Sequence, residues 1–118
     1  MQSDAGFDFV AFKEAFVGKN RDAWLGFFAD DAEWIEYRHN APPRSPNRMS
    51  GKQQIGSFLT GVCGAPVRLA ISDEVLGRDR AAFCVTCELP NGNRIIEHVI
   101  IHVRDGRIAR QVDVEAWD

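Results

Sequence analysis

The chain has 118 residues, of which 45% are hydrophobic and 26% charged, which is typical of one ordinary globular domain. Its formal net charge of −3 argues against nucleic-acid binding, which needs a basic face. No apolar run approaches the roughly 18 residues of a membrane-spanning helix.

Two helices are predicted at the start of the chain. Phe9, Phe12 and Phe16 recur at spacings of three and four, which is the apolar stripe of a helix. Asn20 is a predicted N-cap, and the aromatic run 24–28 then continues a second helix.

A strand, a loop and a third helix follow. Residues 32–37 are rich in strand-forming side chains. Residues 38–49 hold three prolines and three arginines without periodicity, so they are predicted to form a long loop. Ser50 and Gln53 have the spacing of a capping box, which predicts a helix from there to about residue 64.

The second half of the chain has the pattern of strands. Turn sequences at 90–93 and 105–106 separate β-rich segments, as in hairpins. The predicted strands cover residues 67–72, 81–89, 94–103 and 108–117. Helices followed by a meander of strands predict an α+β fold with an antiparallel sheet.

The cysteines predict neither a disulfide nor a metal site. Cys63, Cys84 and Cys87 are an odd number, and no signal-peptide pattern precedes them, so we expect reduced thiols in the cytoplasm. Cys84 and Cys87 are three apart in a predicted strand, so their side chains should point to opposite faces of the sheet.

The order of elements resembles the nuclear transport factor 2-like superfamily, and within it the SnoaL-like domain. Residues 27–32 resemble its junction between helix and strand, residues 50–58 its entry to the third helix, and residues 105–108 its turn into the last strand. The resemblance implies one domain over residues 1–118, without a cofactor. It implies a cone-shaped α+β roll, with three helices packed on a curved mixed or antiparallel sheet around an internal pocket.

Ketosteroid isomerase, a member of this superfamily, would place its general base at Glu36. Its oxyanion-stabilising tyrosine and protonated aspartate would fall at Phe12 and near Val99, which cannot donate hydrogen bonds. The sequence therefore argues against steroid isomerisation by that machinery.

Two other members of the superfamily point to Asp113. Limonene-epoxide hydrolase resembles this chain at Asp113, but its Arg-x-Asp pair would fall near Ala82 and Cys84, so epoxide hydrolysis is not expected. Polyketide cyclases of the SnoaL type place an acid–base carboxylate in the last strand, where Asp113 lies.

Strand alternation and the resemblance together define a candidate pocket. The candidate catalytic residues are Asp113, ranked first, and Glu36. The candidate ligand-binding residues are Phe12, Trp24, Trp34, Glu97, Val99, Ile101 and Gln111. Carboxylates that share a pocket would raise one pKa and leave a neutral acid beside a charged base. In the alternative interpretation, Glu97 meets solvent or an arginine at the end of its strand.

The opposite face of the sheet is predicted to be apolar. Alternation places Ile96 and Ile100 there, and the resemblance adds Phe83 and Val85, which predicts a homodimer through this outer face. His98 and His102 are four apart and share this face, but no third ligand lies at a credible spacing, so no metal is expected.

The loop 38–49 is locally basic because it contains Arg38, His39, Arg44 and Arg48. Two interpretations stay open, namely a solvated loop and a lid that attracts anionic ligands.

Two hypotheses for function follow. In the first, the pocket binds a small, mostly apolar molecule and acts as an acid–base isomerase, dehydratase or aldol cyclase. In the second, the chain is a non-catalytic dimeric module that binds a ligand or mediates an interaction.

Overall fold

The structure is a computed structural model that describes residues 6–118. Residues 1–5, which belong to the segment where no signal-peptide pattern was found, lie outside this range. The helices are α1 (Phe9–Val17), α2 (Arg21–Leu25) and α3 (Gly51–Gly64). The strands are β1 (Phe28–Tyr37), β2 (Asn47–Ser50), β3 (Arg68–Leu76), β4 (Arg80–Glu88), β5 (Arg94–Arg104) and β6 (Arg107–Trp117). The predicted α+β fold is confirmed.

Side-chain caps start the first two helices. The carboxylate of Asp8 accepts a hydrogen bond from the Ala11 N–H, and the predicted N-cap Asn20 accepts one from the Ala23 N–H. Between the helices, Lys19 has a φ of 55° and turns the chain sharply. Both caps satisfy backbone donors that the first helical turn leaves free.

The predicted capping box at α3 is wrong in its details. Ser50 is the N-cap, but its hydroxyl donates to a carboxylate oxygen of Glu33 instead of capping the helix. The Ser50 N–H donates to the side-chain oxygen of Gln54, not Gln53. Because β2 pairs with β1 up to this residue, Ser50 faces Glu33 across the ladder, and the hydroxyl bonds there.

The sheet has six strands in the order β2-β1-β6-β5-β4-β3. All neighbours are antiparallel except β1 and β6, which are parallel. The predicted turns at 90–93 and 105–106 do join β4 to β5 and β5 to β6. The sheet is therefore mixed, and the first strand lies beside the last.

Two predicted boundaries are wrong. The first strand begins at Phe28 rather than residue 32, because Phe28 pairs with Ile108 and a register shift lets Asp30 and Asp31 stay exposed within the strand. Residues 47–49 of the predicted loop belong to β2, which pairs with β1.

Aromatic side chains of α1 pack on the inner face of the sheet. Phe83 of β4 lies 5.5 Å from Phe9 and 5.8 Å from Phe12 between ring centroids. Phe83 and Val85 are 3% and 2% exposed, so placing them on the outer face was wrong. Antiparallel partners share a face, and Phe83 pairs with Val99, which is an inner residue.

The outer face of the sheet carries a different set of side chains. Ile100 and Val114 are 48% and 56% exposed. The apolar outer residues of the central strands are Ala82, Ile96, Ile100, Val112, Val114 and Ala116. Among residues 6–118, no helix is long and apolar enough to cross a membrane.

Strand β4 alternates as the sequence predicted. Cys87 is buried on the inner face, whereas Cys84 is partly exposed on the outer face. Their side chains therefore point to opposite sides of the sheet.

Candidate active site

A cavity of about 460 Å³ lies between the helices and the inner face of the sheet. Its walls are mostly apolar and include five aromatic rings, one each from α1, α2, β1, α3 and β6. They are Phe16, Trp24, Trp34, Phe58 and Trp117. Three glutamates, Glu36, Glu97 and Glu115, also line it. A pocket of this size and character suits a small organic molecule.

The register of three neighbouring strands brings four carboxyl groups together. Glu36 of β1 is the partner of Asp113 in the parallel β1–β6 ladder. Glu97 of β5 is the partner of Glu115 in the antiparallel β5–β6 ladder. Because residues two apart in a strand share a face, Asp113 and Glu115 both belong to the inner face, and so do their partners.

Asp113 is completely buried. One carboxylate oxygen accepts a 2.8 Å hydrogen bond from the Trp34 indole N–H, and the other accepts a 3.1 Å bond from the Gln111 amide. Burial, and then the charge of Glu36, raise the pKa of Asp113 to about 8, although these two hydrogen bonds oppose the shift. Asp113 does not line the cavity, because Trp34 and Gln111 lie on that wall.

Glu36 is 2% exposed and has a cationic partner. Its Oε1 accepts hydrogen bonds from Arg38 Nη2 at 2.7 Å, Arg38 Nε at 3.1 Å and Asn47 Nδ2 at 3.1 Å. A guanidinium and an amide therefore converge on one oxygen of this buried carboxyl group. Arg38 also lines the cavity, so this predicted loop residue belongs to the site.

Glu97 has a different environment. Its side chain lines the cavity and makes no hydrogen bond or ion pair with another side chain in the range 6–118. Burial raises its pKa to about 9, and Asp113, Glu115 and Glu36 add to the shift. The raised pKa favours the protonated, uncharged form of Glu97 at the cavity wall.

Glu115 lies where the cavity meets the end of the chain. Its Oε1 accepts a 2.8 Å hydrogen bond from the Trp117 indole N–H, and the Trp117 ring stacks on His39 at 4.3 Å. Burial raises the pKa of Glu115, the Trp117 bond opposes this, and Glu36 raises it further. His39 thus contacts the C-terminal segment rather than standing alone in a loop.

Two polar atoms of cavity-lining residues are buried without a hydrogen-bond partner. They are the indole N–H of Trp24 and the Oε1 of Gln111. Both residues are only 2% exposed. A buried polar group without a hydrogen-bond partner is costly to the stability of the fold.

The structure brings together five of the nine predicted site residues on the cavity wall, namely Trp24, Trp34, Glu36, Glu97 and Gln111. The other four, Phe12, Val99, Ile101 and Asp113, are buried in the core and do not line the cavity. Phe12 is enclosed by other rings, at 5.9 Å from Phe16 and 5.7 Å from Phe27.

Sequence reasoning did not select Arg38, Trp117 and Phe58 as lining residues. Glu115 lies two residues after Asp113, shares its face by strand alternation, and lines the cavity. Arg38 was predicted only as part of a basic loop, although its partner Glu36 lies two residues before it. Within residues 6–118, no group of three or more His, Cys, Asp or Glu side chains is arranged to hold a metal ion.

The family model described as SnoaL-like domain matches residues 9–111. No match is found among curated proteins.

Solved structures share the fold at low identity. An NTF2-like protein of unknown function from Mesorhizobium loti is 18% identical, with a TM-score of 0.79 over 92% of this chain and 87% of that one. A proposed ketosteroid isomerase from Kribbella flavida DSM 17836 is 18% identical, with a TM-score of 0.74 over 92% and 73%. A hypothetical protein from Catenulispora acidiphila DSM 44928, with a ketosteroid isomerase-like fold and in complex with trimethylamine, is 17% identical, with a TM-score of 0.64 over 89% and 82%.

Proposed function

Because this chain belongs to the SnoaL-like domain family, we propose that its cavity binds a small, mostly apolar molecule and transfers protons to and from it. The reaction class is an isomerisation or a dehydration, both of which begin when a heteroatom of the ligand accepts a proton or a hydrogen bond from an acid. The observation that carries the proposal is the side chain of Glu97, which lines the cavity and makes no hydrogen bond or ion pair with another side chain of the described residues.

Glu97 is the acid in this mechanism. Its O–H donates to the ligand's heteroatom and stabilises the negative charge that develops there when a neighbouring C–H loses its proton. Ketosteroid isomerase would place its protonated aspartate near Val99, which cannot donate a hydrogen bond. Glu97, two residues earlier, can donate one when it is protonated. Asp113 acts through Glu97, because its nearby carboxyl raises the pKa of Glu97.

Glu36 is the base. It lines the cavity as a carboxylate held by Arg38 and Asn47. In an isomerisation Glu36 takes the proton from one carbon and returns it to another, while the proton of Glu97 stays with Glu97 at the end of the cycle. No atom is gained or lost overall.

Proton exchange tests the proposal without a known substrate. In deuterated buffer, the wild type should speed deuterium uptake at the carbon next to the carbonyl of an apolar ketone such as 4-phenyl-2-butanone, followed by NMR. Glu36→Gln should abolish the acceleration, and Glu97→Gln should reduce it about 100-fold or more. A ketone that binds without accelerated exchange would refute acid–base catalysis.

A non-catalytic binding module is the second candidate. The observation that favours it is that both oxygens of Asp113 and the Oε1 of Glu36 already accept hydrogen bonds from protein groups. Oxygens that already accept hydrogen bonds from protein groups have fewer lone pairs left to accept a proton from a ligand. The exchange experiment separates the two candidates, since the module would bind the ketone and leave its protons untouched.

We further propose a homodimer through the outer sheet face, centred on Ile100, Val112 and Val114. Ile100 and Val114 are about half exposed and, with Val112, stand on adjacent strands, so together they form an apolar surface that a second copy would cover. The three free thiols suit the reducing cytoplasm expected from the sequence.

A further inference from the structure

We propose that Arg38 binds a carboxylate group of the ligand at the boundary between the cavity and a neighbouring hollow, while the apolar body of the ligand lies in the cavity. The ligand is then a small apolar keto acid, with its carbonyl at Glu97 and its carboxylate at Arg38. This inference rests on the proposed function, because it names the class of ligand for the same cavity. It also makes the start of the basic loop 38–49 a binding element rather than a solvated segment.

A second, more open hollow adjoins the cavity between α3 and the edge strand β2. The two spaces share three lining residues, namely Arg38, Ser57 and Phe58. The other residues that line the hollow are Asn47, Arg48, Met49, Gln53 and Gln54. Among the described residues, three glutamates line the cavity, whereas no Asp or Glu lines the hollow. The hollow is therefore a polar extension of a mostly apolar cavity, and its lining residues carry positive charge only.

Arg38 has hydrogen-bond donors left for a ligand. Its Nε and Nη2 donate to the same oxygen of Glu36, at 3.1 and 2.7 Å, and within residues 6–118 it donates no other hydrogen bond. A guanidinium carries five N–H donors, so both protons of Nη1 and one of Nη2 stay unengaged. The Arg38 side chain is 34% exposed and lines both spaces, so a ligand in either space reaches these donors.

Glu36 holds the guanidinium of Arg38 in one orientation. The Glu36 side chain is 2% exposed and fixed in the sheet, and it bonds the edge of the guanidinium formed by Nε and Nη2. The edge formed by Nη1 and Nη2 therefore points away from Glu36. Two N–H groups on one such edge match the two oxygens of a carboxylate. Because the planar group is already held in place, little side-chain entropy is lost when the ligand binds.

The carboxyl groups of the wall do not cancel the attraction for an anion. The charge of Glu36 is paired with Arg38. Burial raises the pKa of Glu97 to about 9 and that of Asp113 to about 8, which favours their uncharged forms. Burial also raises the pKa of Glu115. The free edge of the guanidinium is thus the nearest strongly polar group that a ligand carboxylate meets.

The strand register sets the distance between the two ends of the ligand. Tyr37 is the partner of Val114, so Arg38, the next residue, lies beside Glu115, and Glu115 is the partner of Glu97. The charges of Glu115 and Glu97 both act on Arg38, in agreement with this row. Neighbouring strands lie about 4.8 Å apart, so the backbones of Arg38 and Glu97 are about 10 Å apart. Their long side chains cover part of this distance, and a carbonyl and a carboxylate joined by two carbon atoms fit between them.

The test compares two probes of nearly the same shape, 4-oxo-4-phenylbutanoate and 4-oxo-4-phenylbutanamide, which differ in the charge of one end. Calorimetry at pH 7 measures the affinity of the protein for each. We expect the acid to bind at least about tenfold more tightly than the amide at low salt. This preference should shrink in about 0.5 M salt, because the guanidinium is partly exposed, whereas the affinity for the amide should stay the same.

A double variant and a matched control locate the anion. Glu36→Gln combined with Arg38→Met removes both charges of the pair, so no buried carboxylate is left without its cation. This variant should bind the acid no more tightly than the amide. Arg104→Met is the control, since it also removes a guanidinium that is paired with an acid, Asp31, but lies outside the cavity and the hollow. It should keep the full preference for the acid.

Nitrogen-15 NMR of the guanidinium groups gives a second measurement that needs no altered binding site. The Nε–H signal of Arg38 should shift when the acid is added and stay in place with the amide, and the signal of Arg104 should not move with either probe.

Three results would overturn the carboxylate inference and leave the small-molecule cavity standing. They are equal affinity of the wild type for the two probes, a preference for the acid that survives in the double variant, and an Arg38 signal that does not respond to the acid. The inference also fails alone if neither probe binds while 4-phenyl-2-butanone still undergoes accelerated exchange. If no ketone binds or exchanges, the proposed function fails as well.

Discussion

The indole N–H of Trp34 donates a 2.8 Å hydrogen bond to the carboxylate of Asp113, although the two residues are 79 positions apart in the chain. The parallel pairing of β1 with β6 makes this contact, because Trp34 is the partner of Gln111 and Glu36 is the partner of Asp113. One ladder therefore holds the buried acid and places a second carboxylate beside it.

The first prediction concerns the pH dependence of stability. Asp113 and Glu97 have pKa values raised to about 8 and about 9, so the folded protein retains protons that the unfolded chain releases above about pH 4. The free energy of unfolding should therefore fall as pH rises from about 4 to about 9. The slope per proton is at most about 1.4 kcal/mol per pH unit.

Urea unfolding across this range measures the slope. Asp113→Asn should flatten it, because the substitution removes one of the retained protons and lowers the pKa of Glu97. Asp30→Asn is the control, since the Asp30 side chain is 98% exposed and its substitution should leave the slope unchanged. A wild type whose stability rises from pH 5 to pH 8 would contradict the buried neutral carboxyls.

The second prediction concerns the pair of Glu36 and Arg38. Arg38→Met should lower the free energy of unfolding by about 2–3 kcal/mol, because it leaves the buried Glu36 carboxylate without its cation. Adding Glu36→Gln should recover most of this loss, since the uncompensated charge is then gone. Chemical denaturation of the single and double variants measures both effects.

An exposed pair on the same sheet serves as control for this prediction. Arg104 pairs with Asp31, but their side chains are 54% and 72% exposed, so Arg104→Met should change stability by no more than about 0.5 kcal/mol. If Arg38→Met were as mild as this, Glu36 would be a solvated carboxylate and not a charged group of the cavity.

The third prediction compares two glycines of α3. A Cβ at Gly61 meets no atom within 4 Å, so Gly61→Ala should stabilise the fold by about 0.5–1 kcal/mol through helix propensity alone. At Gly56 the Cβ would lie 2.8 Å from Arg21 Nη2 and 3.1 Å from Leu25 Cδ2, so Gly56→Ala should lose that gain. Thermal unfolding compares them, and an equal gain at both positions would mean that α3 does not pack against α2 here.

The fourth prediction concerns the dimer. Light scattering at micromolar concentration should give twice the chain mass of 13.2 kDa. Ile100→Glu should shift the protein to monomer, because burying an unpaired charge at the centre of an apolar interface costs at least about 2 kcal/mol. Val10→Glu is the matched control on α1, where Val10 is 68% exposed and away from the sheet. A monomeric wild type, or a dimer that tolerates Ile100→Glu, would refute the interface.

Local sequence patterns predicted much of the fold. The N-cap at Asn20 and the turns at 90–93 and 105–106 depend on neighbouring residues only, and each appears in the structure. The alternation of side chains within one strand was also predictable from the sequence, as the opposite faces of Cys84 and Cys87 show. These features follow from backbone geometry over a few residues.

Local patterns could not predict which face of a strand lies on the inner side of the sheet. Phe83 and Val85 alternate correctly within β4 but were placed on the wrong face, because only the pairing of Phe83 with Val99 decides which side of β4 is the inner one. Similarly, β2 has four residues and no periodicity, and it is a strand because β1 offers a partner. The register of hydrogen-bonded pairing depends on two segments together, so it cannot be predicted from either segment alone.

The sequence by itself therefore determined the three helices, every strand except β2, the family resemblance and the candidates Glu36, Glu97 and Asp113. Only the tertiary structure decided the environment of each carboxyl group. Asp113 is enclosed by Trp34 and Gln111, whereas Glu97 remains free at the cavity wall. Burial and the charges of neighbouring strands set the pKa of each carboxyl, and both depend on atoms that are distant in sequence and adjacent in space.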